Sequence, residues 1–132
     1  MKNYFSKLLM ELAGTFFLCY VGGWSCILYT ELSTIAFTHT LVLASFIYLG
    51  ANISGGQYNP ALSITLLMNK LIDFKDFIFC VSGQILGSLL AGFLLKISLF
   101  EDMETSNLGF PAYSDDIAVS YTHLTLPTTP YV

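Results

Sequence analysis

Ile53-Ser54-Gly55-Gly56-Gln57-Tyr58-Asn59-Pro60-Ala61 separates two apolar tracts of membrane length, and its reading decides the fold. Gly55 and Gly56 permit backbone dihedrals and close approaches that a Cβ forbids, so the chain can turn back without leaving through the far side of a bilayer. Asn59 is a good N-cap, and Pro60 suits the first helical position, where its missing N–H costs nothing. The pattern predicts a helix from Pro60 through Ala61-Leu62-Ser63-Ile64-Thr65-Leu66-Leu67-Met68 that stops near Asn69-Lys70, where polar residues return. At about 1.5 Å per residue this helix is roughly 15 Å long, half of a ~30 Å hydrocarbon layer. It reaches the midplane but cannot cross. The plainer alternative is an ordinary loop followed by a capped surface helix.

The flanking sequence places that loop in a membrane. Of the 132 residues 55% are hydrophobic and only 11% are charged, with a mean hydropathy of +0.67, too few charges to cover a soluble surface. Three tracts are nearly free of ionisable groups: Leu8 to Tyr29, Ser33 to Ala51 and Phe77 to Leu99. Each approaches the ~20 residues that a spanning helix needs, and the first is too long for a cleavable signal peptide. The expected fold class is therefore an all-α membrane protein with three transmembrane helices, about 8–29, 33–51 and 77–99, plus one re-entrant half-helix within 52–69. Lys2, Lys7, Lys70 and Lys75 lie on one side of this arrangement and Glu31 on the other, which predicts a cytosolic N-terminus. Lys96, at the end of the last span, dissents and can snorkel. The net charge of -4 comes largely from Glu101, Asp102 and Glu104 beyond the last span, and it points to no nucleic-acid partner. Cys19, Cys26 and Cys80 read as small packing residues, and Asn52-Ile53-Ser54, a glycosylation sequon, is expected to be unmodified.

Irregular backbone at membrane depth survives only where protein buries it or where it lines a water-filled cavity. The carbonyls of Gly55, Gly56 and Gln57 are thus candidate pore-lining acceptors. The half-helix directs its positive end at the membrane centre, with the Asn59 amide available as a donor. Such a dipole repels cations and protons and leaves neutral hydrogen-bonding solutes little affected.

With Glu11-Leu12-Ala13-Gly14-Thr15-Phe16-Phe17 opening the first span, the loop box Asn59-Pro60-Ala61, and Gln84-Ile85-Leu86-Gly87-Ser88 in the last, the chain resembles the N-terminal half of the major intrinsic proteins, the aquaporins and glyceroporins. The match covers residues 4 to 118, and Ala51-Asn52-Ile53-Ser54-Gly55-Gly56 is nearest to tonoplast-type members. The resemblance implies a passive channel for water and small neutral solutes such as glycerol, ammonia or peroxide, assembled in the lipid bilayer as a homotetramer. It also implies roles for two polar residues inside the spans. Glu11 would brace the re-entrant loop through the backbone near Gln57. His39, at the family's offset before Asn59, would stand at the selectivity constriction and offer a ring N–H to the solute; the alternative is a histidine bonded between helices. Phe37 reads as a packing residue. Gly83, Gly87 and Ala91 form a small-residue ridge for helix packing, with Gly92 four residues beyond Ser88.

The family fold joins two inverted repeats, and this chain carries one. The missing C-terminal half, with a second Asn-Pro-Ala box and the constriction arginine, would be a required partner, and the half alone is expected to be inactive. From Val119 the sequence resembles a translated sequencing-library adapter, so 119–132 is expected to be a disordered artefact, preceded by an outer loop over 100–118. Two other readings stay open: a proton-coupled transporter titrating Glu11 and His39, and a non-transporting membrane fragment. No nucleophile, base and orienting acid converge and no metal-ligand spacing occurs, so neither enzyme activity nor a cofactor is expected.

Overall fold

The computed structural model describes residues 3–29 and 31–98. The expected outer loop over 100–118 and the tail 119–132 lie outside the described residues. Four helices follow one another: α1 (Tyr4–Leu28), α2 (Leu32–Gly50), α3 (Pro60–Met68) and α4 (Phe74–Ser98). Three of these are long and apolar enough to cross a bilayer.

The first helix opens at Tyr4, ahead of the apolar tract, because the Asn3 side chain caps it by accepting the Ser6 N–H at 3.3 Å. The last helix likewise starts at Phe74, three residues before its apolar tract. Lys7 and Asp76, which mark the polar edges of the two tracts, meet at 2.8 Å with Asp76 buried, so both helices run past their apolar boundaries as a pair. The short helix α3 begins with Asn59 as N-cap and Pro60 in the first turn. It ends with Lys70 in the left-handed region (φ 57°), where the Lys70 N–H reaches the Leu67 carbonyl at 2.9 Å and the Leu71 N–H reaches that of Leu66 at 2.9 Å. That pair of bonds satisfies the last orphan carbonyls and lets the chain reverse into α4.

Helix α1 is central. It packs along α4 and against α2, and α3 lies on α4. The α1–α4 seam is built from absent side chains: Gly83, Gly87 and Ala91 are all buried. A Cβ on Gly83 would land on the Leu8 carbonyl oxygen and one on Gly87 on that of Leu12. In lipid, where apolar contact with a neighbour gains little over contact with acyl chains, such close backbone approach is what holds helices together. Gly92 differs from the expectation, since a Cβ there would meet nothing within 4 Å; it faces an open cleft. Phe37, expected to pack, is 69% exposed on the outer face of α2, beside Leu41 and Tyr48 on a helix that buries little beyond Gly50.

Candidate functional site

A single carboxylate organises the loop between α2 and α3. Glu11 is fully buried, seven residues into α1. Its Oε1 accepts the Ser54 hydroxyl at 2.6 Å and the Gln57 N–H at 2.9 Å, while Oε2 accepts the Tyr58 N–H at 2.6 Å and the Gln84 side-chain amide at 2.8 Å. A carboxylate has about four lone-pair sites, so all are engaged. An unpaired buried charge would be costly, and these four charge-assisted bonds offset that cost while fixing two main-chain amides of the turn.

Tyr58 and the glycines shape the loop. The Gly50 carbonyl receives the N–H groups of Ile53, Ser54 and Gly55 at 2.9, 2.9 and 3.2 Å, ending α2 in a tight knot. Gly55 (φ 95°) and Gly56 (φ 62°) then reverse the chain through left-handed dihedrals open to glycine. Among the described residues no donor reaches the carbonyls of Gly55, Gly56 or Gln57. Gly56 and Gln57 are buried and Gly55 is exposed.

Asn59 stands exposed at the start of α3 with extended backbone (φ -149°). Its Oδ1 accepts the Ala61 N–H at 2.9 Å, which commits the oxygen to the cap and leaves the Nδ2 donors without an acceptor among the described residues. Pro60 and Ala61, the rest of the box, form the exposed first turn of α3. A hydrogen-bond chain ties this turn to the brace: the Ser63 hydroxyl donates to the Asn59 carbonyl at 3.2 Å and accepts the Gln84 amide at 3.0 Å, and the same amide reaches Glu11. Gln84 lies ten residues after Phe74, roughly 15 Å along α4, and Asn59 is about one turn deeper than Ser63. The asparagine therefore sits close to the middle of α4's ~37 Å length.

A cleft of about 660 Å³ lies along the later turns of α1 and α4, lined among others by Cys19, Gly23, Ser88, Gly92 and Lys96, with His39 of α2. His39 is half-buried, and its ring lies against Gly22 of α1. Its Nδ1 bonds the Ile35 carbonyl at 2.9 Å. A carbonyl only accepts, so Nδ1 carries a proton that is spent on this bond. The ring N–H expected to face a solute is instead engaged by the helix's own backbone.

The site thus joins Glu11, Gln57 and Asn59 in one network and leaves His39 apart, in the cleft. Sequence reasoning missed Ser54, Tyr58, Ser63 and Gln84 as members. Ser63 carries a readable signal, a hydroxyl one helical turn after the cap and so on the same face; the other three depend on the three-dimensional arrangement. Among the described residues no cluster of three potential metal-ligating side chains occurs.

These features can be set beside known proteins. The family model for major intrinsic proteins matches residues 2–124. The glycerol uptake facilitator protein-like 6 of Lactiplantibacillus plantarum is 32% identical over 91 residues, which is 68% of this chain and 42% of that protein. Aquaporin TIP2-1 of Arabidopsis thaliana is 32% identical over 117 residues (80% of this chain, 44% of that protein), and aquaporin NIP3-1 of the same plant is 30% identical over 118 residues (84% and 36%). The chain spans less than half the length of these relatives. No solved structure matches significantly. The three long apolar helices, the re-entrant half-helix and the family match together make this chain an integral membrane member of the major intrinsic protein family.

Proposed function

We propose that this chain builds the N-terminal half of a passive channel for water and small neutral solutes, with glycerol, ammonia and peroxide the candidates beyond water. The observation that carries the reading is Asn59: it heads the short helix α3 close to the middle of α4, its oxygen is committed to Ala61, and its Nδ2 is left to donate. A water or hydroxyl passing there donates its own hydrogens to the carbonyls of Gly55, Gly56 and Gln57. The positive end of α3 disfavours cations and protons at the same place. The outer cleft is the space for a second, inverted half-helix supplied by the C-terminal half, and the assembled channel is a homotetramer with its N-terminus in the cytosol.

Proton-coupled transport fits the geometry poorly. Glu11 is fully buried and each of its oxygens is bonded to two groups of the protein, which places it as a brace for the loop. The test is osmotic shrinkage of proteoliposomes holding this chain alone, and holding it with a complementary C-terminal half from a related channel. Fast water flux with both halves, none with one, and indifference to an imposed proton gradient are expected. Uphill solute uptake driven by that gradient would overturn the channel reading.

His39 supplies a further prediction in the assembled channel. The imidazole lines the cleft, so His39→Phe removes a polar group worth about 1.4 kcal/mol to a hydrogen-bonding solute and lowers glycerol or ammonia flux roughly tenfold. Water flux remains measurable. Equal glycerol flux in the two proteins would return His39 to a packing role.

A further inference from the structure

Tyr58 is an aromatic residue in the left-handed region, with φ 47° and 3% of its surface exposed. Bulky side chains avoid this region unless surrounding contacts over-determine it. Two helices do so here. The N–H donates to Glu11 on α1 at 2.6 Å, and the hydroxyl donates to the Phe46 carbonyl on α2 at 2.6 Å. The ring meets that of Phe46 edge-on at 6.0 Å. It fills a notch cut by two glycines: a Cβ on Gly14 would land on the ring carbons Cδ1 and Cε1, and one on Gly50 would land on the hydroxyl oxygen, with Cζ next at 3.1 Å. Asn59 is the very next residue, so little freedom separates the seat of this ring from the direction of the Asn59 amide.

We infer that Tyr58 is the positioning residue of the pore loop: its ring, keyed into the Gly14–Gly50 notch and tied to Phe46, sets where Asn59 caps α3 and presents its amide. Its bearing on permeation rests on the channel reading above, but the positioning itself does not, and the two can fail separately.

The experiment is amide hydrogen exchange on the full chain in detergent micelles, read at Ala61, whose N–H is held by Asn59 Oδ1, alongside thermal unfolding followed by Trp24 fluorescence. Tyr58→Phe should lower the melting temperature by only a few degrees yet raise Ala61 exchange roughly tenfold, matching the loss of one hydrogen bond of about 1.4 kcal/mol. Gly50→Ala should raise it further, and adding Tyr58→Phe to Gly50→Ala should restore exchange to the level of Tyr58→Phe alone, because the colliding oxygen is gone. Adding Tyr58→Phe to Gly14→Ala should give no rescue, since phenylalanine keeps both colliding carbons. Wild-type protection in Tyr58→Phe overturns the inference, as does equal rescue of both glycine variants. If the glycine variants fail to fold, Tyr58→Phe alone still decides.

Discussion

Glu11→Gln should detach the re-entrant loop from α1. Glutamine offers one acceptor oxygen where the carboxylate offers two, and its amide group would point N–H bonds at groups that also donate. At least two of the four bonds, those from Ser54, Gln57, Tyr58 and Gln84, lose their acceptor. Hydrogen bonds to a charged group contribute about 1.5–3 kcal/mol each, so the expected loss is roughly 3–6 kcal/mol. In micelles the melting transition should fall by more than ~10 °C, and the turn over 51–59 should become open to proteolysis. Glu11→Asp, which keeps the charge but withdraws it by one methylene, should fall between. An unchanged melting temperature and an intact loop in Glu11→Gln would show that the turn is held by Gly50 and Tyr58 without the carboxylate.

The second large effect is expected at the α1–α4 seam. A methyl on Gly87 would meet the Leu12 carbonyl oxygen and lie 3.0 Å from the Phe16 nitrogen, and one on Gly83 would meet the Leu8 carbonyl with the Leu12 nitrogen at 3.1 Å. These obstacles are main-chain atoms, which cannot swing aside as a side chain can, so the helices must separate. Each substitution to alanine should cost about 1–3 kcal/mol as overpacking, and the pair more, because Gln84 would then be drawn away from Glu11. Gly92→Ala, with nothing within 4 Å, is the matched control and should be near neutral. Equal melting temperatures for Gly87→Ala and Gly92→Ala would refute the close-seam account.

What could be read from residues alone follows a physical line. The half-helix was legible because its signals are local: an asparagine cap, a proline in the first turn and a polar stop all act within one turn of α3. The apolar tracts were legible because bilayer thickness fixes their length. The helix starts at Tyr4 and Phe74 were not, since Lys7 and Asp76 look like boundaries until each is known to lie opposite the other. Glu11 stood out as a charge inside a span, but its donors come from 43 to 73 residues away, and no local pattern marks Ser54 or Gln84 as facing it. His39 shows a finer limit. Its offset before Asn59 is plain in the sequence, whereas the nitrogen that bonds the Ile35 carbonyl depends on the rotamer. Gly92 was misread for a similar reason: a small residue reads as a contact until the neighbouring surface proves absent.

The separations around Glu11 also impose an order on biogenesis. Synthesis proceeds from the N-terminus, so α1 carries its carboxylate into the bilayer before any partner exists. Three of the four donors arrive by residue 58, and the fourth only with Gln84, in the middle of α4. The turn can therefore dock while α4 is still being made, and insertion of α4 then locks it, since Gln84 grips Glu11 and Ser63 at once. A nascent chain halted before Gln84 should hold its loop loosely, and one released after it should hold it firmly.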